Sequence, residues 1–358
     1  MSKRTVTLIV ILTILVGGAI AFPKFMLFWQ GRMRTINTSE TVILIRESFT
    51  AVELADFLIE KKLINDKAAF LKIAANNNLN KSTVAKGKYI ILQGETYSQL
   101  VEGFIKTENG HGKDEVMVNV IFTPTRDIKT MAKEVEKCLL LDSAKLVQYL
   151  SNPETLNKFG FTPEQLPALF FPGHYKMYFD TDEVQFVDAM AAEFKTFWTP
   201  ERKRALQKIG LTTQSQAATL ASIVYCEQSR HSDEWPTIAA LYLNRLKINK
   251  KLQSDPTFKF CWEGKLDGVN RLLGKHREID CAYNTYKYAG LPPGPICLVP
   301  KEVVEAVLNP DKVNYLYMCA KPDYSFRHNF EFSDVEHVKN ASAYQKWLTE
   351  EKEKRQAR

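Results

Sequence analysis

The sequence predicts an α+β protein made of an apolar N-terminal helix, a small α+β module and a larger mixed α+β body. Three observations carry this. Val6 to Phe22, "VTLIVILTILVGGAIAF", is an uncharged apolar run close to the ~20 residues needed to cross a bilayer. Behind it, strand-turn-helix passages recur. Further on, strands and helices follow one another without strict βαβ alternation, which points to α+β rather than a doubly wound sheet. The 358 residues suffice for two or three domains, and 45% hydrophobic with 25% charged residues is a globular balance that excludes large-scale disorder.

The apolar run reads as a single-pass membrane anchor. Ala19-Ile20-Ala21 resembles a small-residue cleavage site, but the run is longer than a usual signal h-region, so an uncleaved anchor over 6–22 is expected. "PKFMLFWQ" adds interfacial aromatics that extend the span to about residue 28. Residues 1–5 precede it and a polar linker, 23–40, follows. Lys3 and Arg4 lie on one side, and Lys24, Arg32 and Arg34 on the other, so charge alone does not orient it. The net charge of +7 sits largely here: residues 1–40 contribute +4, leaving +3 for all the rest. No nucleic-acid-binding motif accompanies that charge, and nucleic acid is not an expected partner.

In the small module, a β-branched strand at Val42 to Ile45 precedes an amphipathic helix with Val52, Ala55, Phe57 and Leu58. A strand at Tyr89 to Leu92 then leads to a helix starting near Thr96. "VMVNVIF" with the helix after it opens the next domain, and "TENGHGKDE" marks the boundary, giving a module over 41–112 and a body over 113–349. "LFFPGHYKMYF" is strand-like and interrupted by Pro172-Gly173. A helix begins at Pro236, "NYLYMCA" and "HNFEF" are β-rich, and 350–358 form a charged tail. The six cysteines show neither a tight framework nor a C-x-x-C clip, which predicts free buried thiols.

The chemistry centres on "ATLASIVYCEQSR". Leu220, Ile223, Val224 and Glu227 recur at i, i+3, i+4 and i+7, which puts a carboxylate where a buried stripe calls for an apolar residue. An acid there is paired or used. An ion pair with Arg230 or Arg245 is one explanation; an acid whose pKa is raised by burial is the other. Cys226 points about 100° away from Glu227 on a regular helix and shares no face with it. Polar clusters follow at Asn244 and Arg245, at Gln253, Asp255 and Thr257, and at Asn284, Thr285 and Tyr286. Each also has a structural reading. The rigid "GLPPGPI" loop, with three prolines and two glycines, permits close approach of another backbone. His328 and His337 lack zinc-motif spacing, so structural roles and no metal are expected.

Taken together, the anchor, "FFPGHY", "LASIVYCE", "YLNRL", "LQSDPT", "NTYKYAGLPPGPI" and "HNF" with "EH" occur in an order that resembles the endolytic murein transglycosylase family (MltG, or YceG-like). The resemblance implies that 41–112 is a LysM-like module and 113–349 the YceG-like catalytic domain. It makes Glu227 the catalytic acid and has Asn244, Gln253, Asp255, Thr257, Asn284, Thr285 and Tyr286 line a glycan cleft. It further implies peptidoglycan strands as substrate, no cofactor, cell-wall synthases as candidate partners, and an inner-membrane protein whose catalytic body lies in the periplasm. Family members often carry Glu-Lys where this chain has Tyr225-Cys226, and an acidic residue where it has Gly173. Glu227 is thus the one carboxylate left in its motif. Two other readings stay open: a non-catalytic glycan-binding scaffold, and a hydrolase with Asp255 as second carboxylate.

Overall fold

The computed structural model describes residues 3–80, 82–266 and 274–356. Met1, Ser2 and the end of the charged tail at 357–358 lie outside the described residues. The chain forms two compact units. The first takes in residues up to Val120 together with Lys137–Leu141 and Tyr175–Thr181. It holds helix α1 (Lys3–Gly31), strand β1 (Thr41–Ile45), helices α2 (Ala51–Glu60) and α3 (Lys67–Asn76), strand β2 (Gly87–Ile91) and helix α4 (Tyr97–Phe104). Strands β1 and β2 pair antiparallel, with Ile43 opposite Tyr89 and Ile45 opposite Gly87. Their alternating burial turns Ile43, Ile45, Tyr89 and Ile91 onto Leu54, Leu58, Phe70 and Phe104. Helix starts are set by their caps: Thr50 with Glu53 and Thr96 with Gln99 form capping boxes, and Asp66 accepts from the Ala69 amide.

The anchor expectation is corrected here. Helix α1 does not stop at Phe22 but continues through Pro23 and Lys24, and its last turns pack against α3 and α4. Leu27 joins the core of the unit, and Gly31 lies against Ser98 and Ile73, where a Cβ would sit 3.0 Å from the Ser98 hydroxyl. Phe22, Phe25 and Trp29 stay exposed on the same helix. Among the described residues, no helix is long and apolar enough to cross a membrane, which overturns the single-pass inner-membrane assignment and the periplasmic placement built on it.

Strand β3 (Val118–Phe122) pairs with β4 (Gly173–Met177). In the second unit, helices α5 (Ile128–Glu136), α6 (Ser143–Ser151), α7 (Pro153–Phe159), α8 (Glu183–Phe197) and α9 (Pro200–Lys208) lead to α10 (Gln214–Glu227). Helices α11 (Trp235–Lys247), α12 (Asp255–Cys261) and α13 (Lys301–Leu308), the hairpin of β5 (Tyr317–Ala320) with β6 (His328–Glu331), and α14 (Asp334–Gln356) complete it. The expected α+β class holds. Helix α10 is the hub, packing on α11, α12 and α13. From Ser215 to Val224 nearly every residue is buried, so the stripe expected on one face is a helix enclosed all round. Only its final turn emerges, and Glu227 is its last residue.

Candidate active site

Glu227 sits half-buried at the C-terminal end of α10, the end of a helix that disfavours negative charge. Its Oε1 accepts from the Tyr242 hydroxyl at 2.7 Å and from Ser254 Oγ at 2.5 Å. With both donors on Oε1, the proton of the neutral acid belongs on Oε2. Burial pushes the Glu227 carboxyl above its ordinary range; the Ser254 and Tyr242 hydrogen bonds oppose this, and the charge of Asp255 adds to it. Tyr242 is itself buried and raised well above the usual phenol value by burial and by Glu227, so it remains a donor. Neither proposed arginine pairs with Glu227. Arg245, buried, donates to the Leu316, Lys251 and Leu252 carbonyls, and Arg230 lies over the Phe326 ring at 4.0 Å.

Ser254 is held in place by the loop before α12. Gln253 adopts a left-handed backbone, φ 51°, a strained conformation for a non-glycine residue of the kind that gathers at functional sites. Its amide donates to the Thr285 carbonyl, and the Ser254 amide donates to Thr285 Oγ1 at 3.0 Å. Thr257 Oγ1 donates to the Ser254 carbonyl and lies 2.8 Å from Thr285 Oγ1. Thr257 and Thr285 are therefore buried braces for Ser254. The Gln253 side chain is exposed and meets Arg245 at 3.4 Å.

Asp255 follows directly. Its Oδ1 accepts from the Tyr286 hydroxyl at 2.6 Å and from Arg277 at 3.2 Å. Asn284, fully buried, gives its amide to the Arg277 and Ile279 carbonyls and accepts from the Tyr286 amide, which shapes the loop presenting Tyr286. Asn244 does not join this group: its amide donates to the Val313 and Tyr315 carbonyls and pins that segment to α11. The proline loop behaves as its composition suggests. A Cβ on Gly294 would fall 1.8 Å from the Glu164 carbonyl, and the Ile296 amide donates to Ser222 Oγ on α10.

Beyond Glu227 a buried network joins Gln228, Glu234 and His328, which no sequence spacing signals. Gln228, the residue after Glu227, accepts from the Arg230 and His231 amides and donates to Glu234 and to the Phe326 carbonyl. Glu234, buried, accepts from His328 Nδ1 at 2.8 Å and from the His328 amide at 3.1 Å. Burial alone raises the Glu234 pKa, but the hydrogen bonds from His328 and Gln228 outweigh it and hold the carboxyl below its ordinary value. His328 lies close enough to favour the charged form of Glu227. His337 instead stacks on Tyr317, 5.2 Å between centroids.

The free-thiol expectation is corrected for one pair. Cys261 and Cys281 form a disulfide across 20 residues, while the Cys226 and Cys297 thiols lie 3.3 Å apart without bonding covalently, with Cys297 buried and Cys226 exposed. The bond closes the loop that carries Arg277, the partner of Asp255. Closing a loop of this length restricts the unfolded chain by about 3 kcal/mol. Reduction is thus expected to lower the melting temperature and to loosen the Arg277–Asp255 contact, measurable by scanning calorimetry with and without reductant; an unchanged transition would show the bond to be inconsequential.

Residues 43–343 match the YceG-like family. Over 157 residues the chain is 36% identical to an endolytic murein transglycosylase of Bacillus subtilis, covering 44% of this chain and 42% of that protein. Over 160 residues it is 30% identical to the endolytic murein transglycosylase of Streptococcus pneumoniae strain D39, covering 44% and 28%. The chain thus matches less than half the length of these curated relatives. A crystal structure of a yceG-like protein from Listeria monocytogenes shares the fold, with a TM-score of 0.54 at 23% identity over 85% of this chain and 99% of that one. With most of its length inside the family match, the chain belongs to the YceG-like family.

Proposed function

We propose that the protein is an endolytic lytic transglycosylase of peptidoglycan, with Glu227 as its one acid-base group. The observation that carries this reading is a carboxyl raised by burial, fixed by two hydroxyl donors on one oxygen and forming no salt bridge among the described residues. Burial favours the protonated form of such a group, which suits it to general acid catalysis. Glu227 gives its proton to the glycosidic oxygen between MurNAc and GlcNAc as the C1–O bond breaks. The carboxylate, steadied by Tyr242 and Ser254, then takes the proton of the muramyl C6 hydroxyl, whose oxygen bonds to C1 and closes a 1,6-anhydro ring. The proton returns to Glu227 and no water is consumed. Asp255 and Tyr286, joined by a hydrogen bond, and the exposed Gln253 provide polar groups for the glycan. Thr257, Thr285 and Asn284 hold those groups rather than touch the sugar, and Asn244 braces α11. The β1-α2-α3-β2 order of the first unit supports reading it as a LysM-like glycan-holding module.

Digestion of uncrosslinked glycan strands in ¹⁸O-labelled water, followed by mass spectrometry, tests this. Unlabelled 1,6-anhydro-MurNAc ends are expected, with Asp255→Asn reducing the rate less than Glu227→Gln. Labelled reducing ends would instead make the protein a hydrolase, and binding without any cleavage would make it a scaffold.

A further inference from the structure

We propose that the first unit carries a binding site for a divalent transition cation of the zinc type, formed by His111, Glu115 and Asp180. The three residues come from two separate chain segments, the 111–115 turn and the Tyr175–Thr181 segment, both within this unit. Their candidate ligand atoms all lie within 4.8 Å of one another. His111 Nδ1 is 3.3 Å from Glu115 Oε2 and 3.3 Å from Asp180 Oδ1. Bonds of about 2.0–2.1 Å from a tetrahedral zinc ion to nitrogen and oxygen put its ligand atoms about 3.3 Å apart, the separation found here between the His111 nitrogen and each of the two carboxylates.

An imidazolium bridging two carboxylates is the competing explanation, and the hydrogen bonding speaks against it. A ring N–H points in one direction, yet Nδ1 is equidistant from both oxygens and forms an acceptable hydrogen bond with neither. His111 Nδ1, Glu115 Oε1 and Asp180 Oδ1 are all buried atoms without a hydrogen-bond partner. The Glu115 side chain is fully buried, and a Cβ on Gly87 would fall 2.3 Å from its carboxyl carbon, so a glycine makes the space it fills. Leaving His111 Nδ1 and Asp180 Oδ1 orphaned is costly, whereas one cation held between them and the Glu115 carboxylate satisfies both. The Tyr178 ring stacks on His111 at 3.7 Å and fixes the imidazole plane, and the Gly112 amide donates to Glu115 Oε2 at 3.3 Å, the kind of outer support that ligating groups carry. An imidazole nitrogen with two carboxylates suits zinc better than magnesium or calcium, which prefer all-oxygen sites. About one-fifth of the His111 and Asp180 side chains is exposed, which leaves room for a solvent ligand and a path of entry. No step of the proposed glycan chemistry runs through this site.

The test uses the full chain, stripped with chelator, dialysed, and titrated with zinc chloride alone by calorimetry. Cobalt(II) serves as a spectroscopic probe of the ligand set. One zinc per chain and visible d–d absorption of a low-symmetry cobalt site are expected. Removing an outer-shell partner commonly costs 10- to 100-fold in metal affinity, so His111→Gln, Glu115→Gln and Asp180→Asn should each weaken binding by at least ~100-fold. Asp180→Asn is the mildest change sterically and guards against a variant that fails to fold. Absence of zinc binding by the wild type would overturn the proposal. So would wild-type affinity in folded His111→Gln and Asp180→Asn, which would place any bound metal elsewhere.

Discussion

Replacing Glu227 by glutamine is expected to abolish glycan cleavage while leaving the fold intact. Glutamine keeps the side-chain length, and its Oε1 can still accept from Tyr242 and Ser254, so the hydrogen-bonded frame at the end of α10 survives. What is lost is the transferable proton, worth ~10²- to 10⁴-fold in rate for such a group. Stability should move the other way. Burial raises the folded-state pKa of Glu227, so the stability tied to its protonated form is full below the unfolded glutamate pKa and is lost as pH rises through the folded value. Glutamine does not titrate, and the variant should match or exceed the wild type in melting temperature at neutral pH and above. Catalytic groups held in unfavourable surroundings commonly show this trade of stability for activity. Cleavage assays and melting curves from pH 5 to 9 check it. A large loss of stability would mean that Glu227 is a structural partner, and retained cleavage in the folded variant would reject it as the acid.

Glu227 was legible in the sequence because an acid on a buried helical stripe violates a strong local pattern. Its two donors were not. Tyr242 sits within "ALYLNRL", where an aromatic residue reads as core, and only the packing of α11 against α10 brings its hydroxyl to the carboxyl. Ser254 sits inside "LQSDPT", where a small hydroxyl between stronger polar residues carries no signal of its own. The polar residues that did stand out were mostly structural: the amides of Asn244 and Asn284 are taken up by backbone carbonyls, which sequence spacing cannot reveal. Strand and cap positions followed from local rules, as at Thr41–Ile45 and Thr96. Hydropathy marked Val6 to Phe22 as a membrane span, but it does not register that the helix runs on through Pro23 to Gly31, where Leu27 and Gly31 have protein neighbours. The Cys261–Cys281 bond was hidden for a similar reason: 20 residues separate the cysteines, and only the folded loop brings them together.

Replacing Glu234 by alanine is expected to give a large loss of stability with the opposite pH dependence to that of Glu227. Glu234 is buried and accepts from the His328 ring, the His328 amide and the Gln228 amide, so its removal leaves three donors without their acceptor. Each buried donor left without its acceptor costs about 1–3 kcal/mol. The hydrogen bonds that hold the Glu234 carboxyl below its ordinary value mean that its contribution is present above the unfolded glutamate pKa, about 4.3, and is lost as pH falls through the lower folded value. The deficit of Glu234→Ala relative to the wild type should therefore be full at pH 7 and shrink in acid, as measured by urea denaturation at both. A deficit that does not change with pH would show that the carboxylate charge does not hold His328. The same two residues bear on catalysis, because His328 favours the ionised form of Glu227 and Gln228 fixes the turn beyond it. Glu234→Gln, which keeps an acceptor for His328 but removes the charge, should therefore shift the pH profile of cleavage more than it lowers the maximal rate. That separates a residue that positions His328 beside the acid from one that merely fills space.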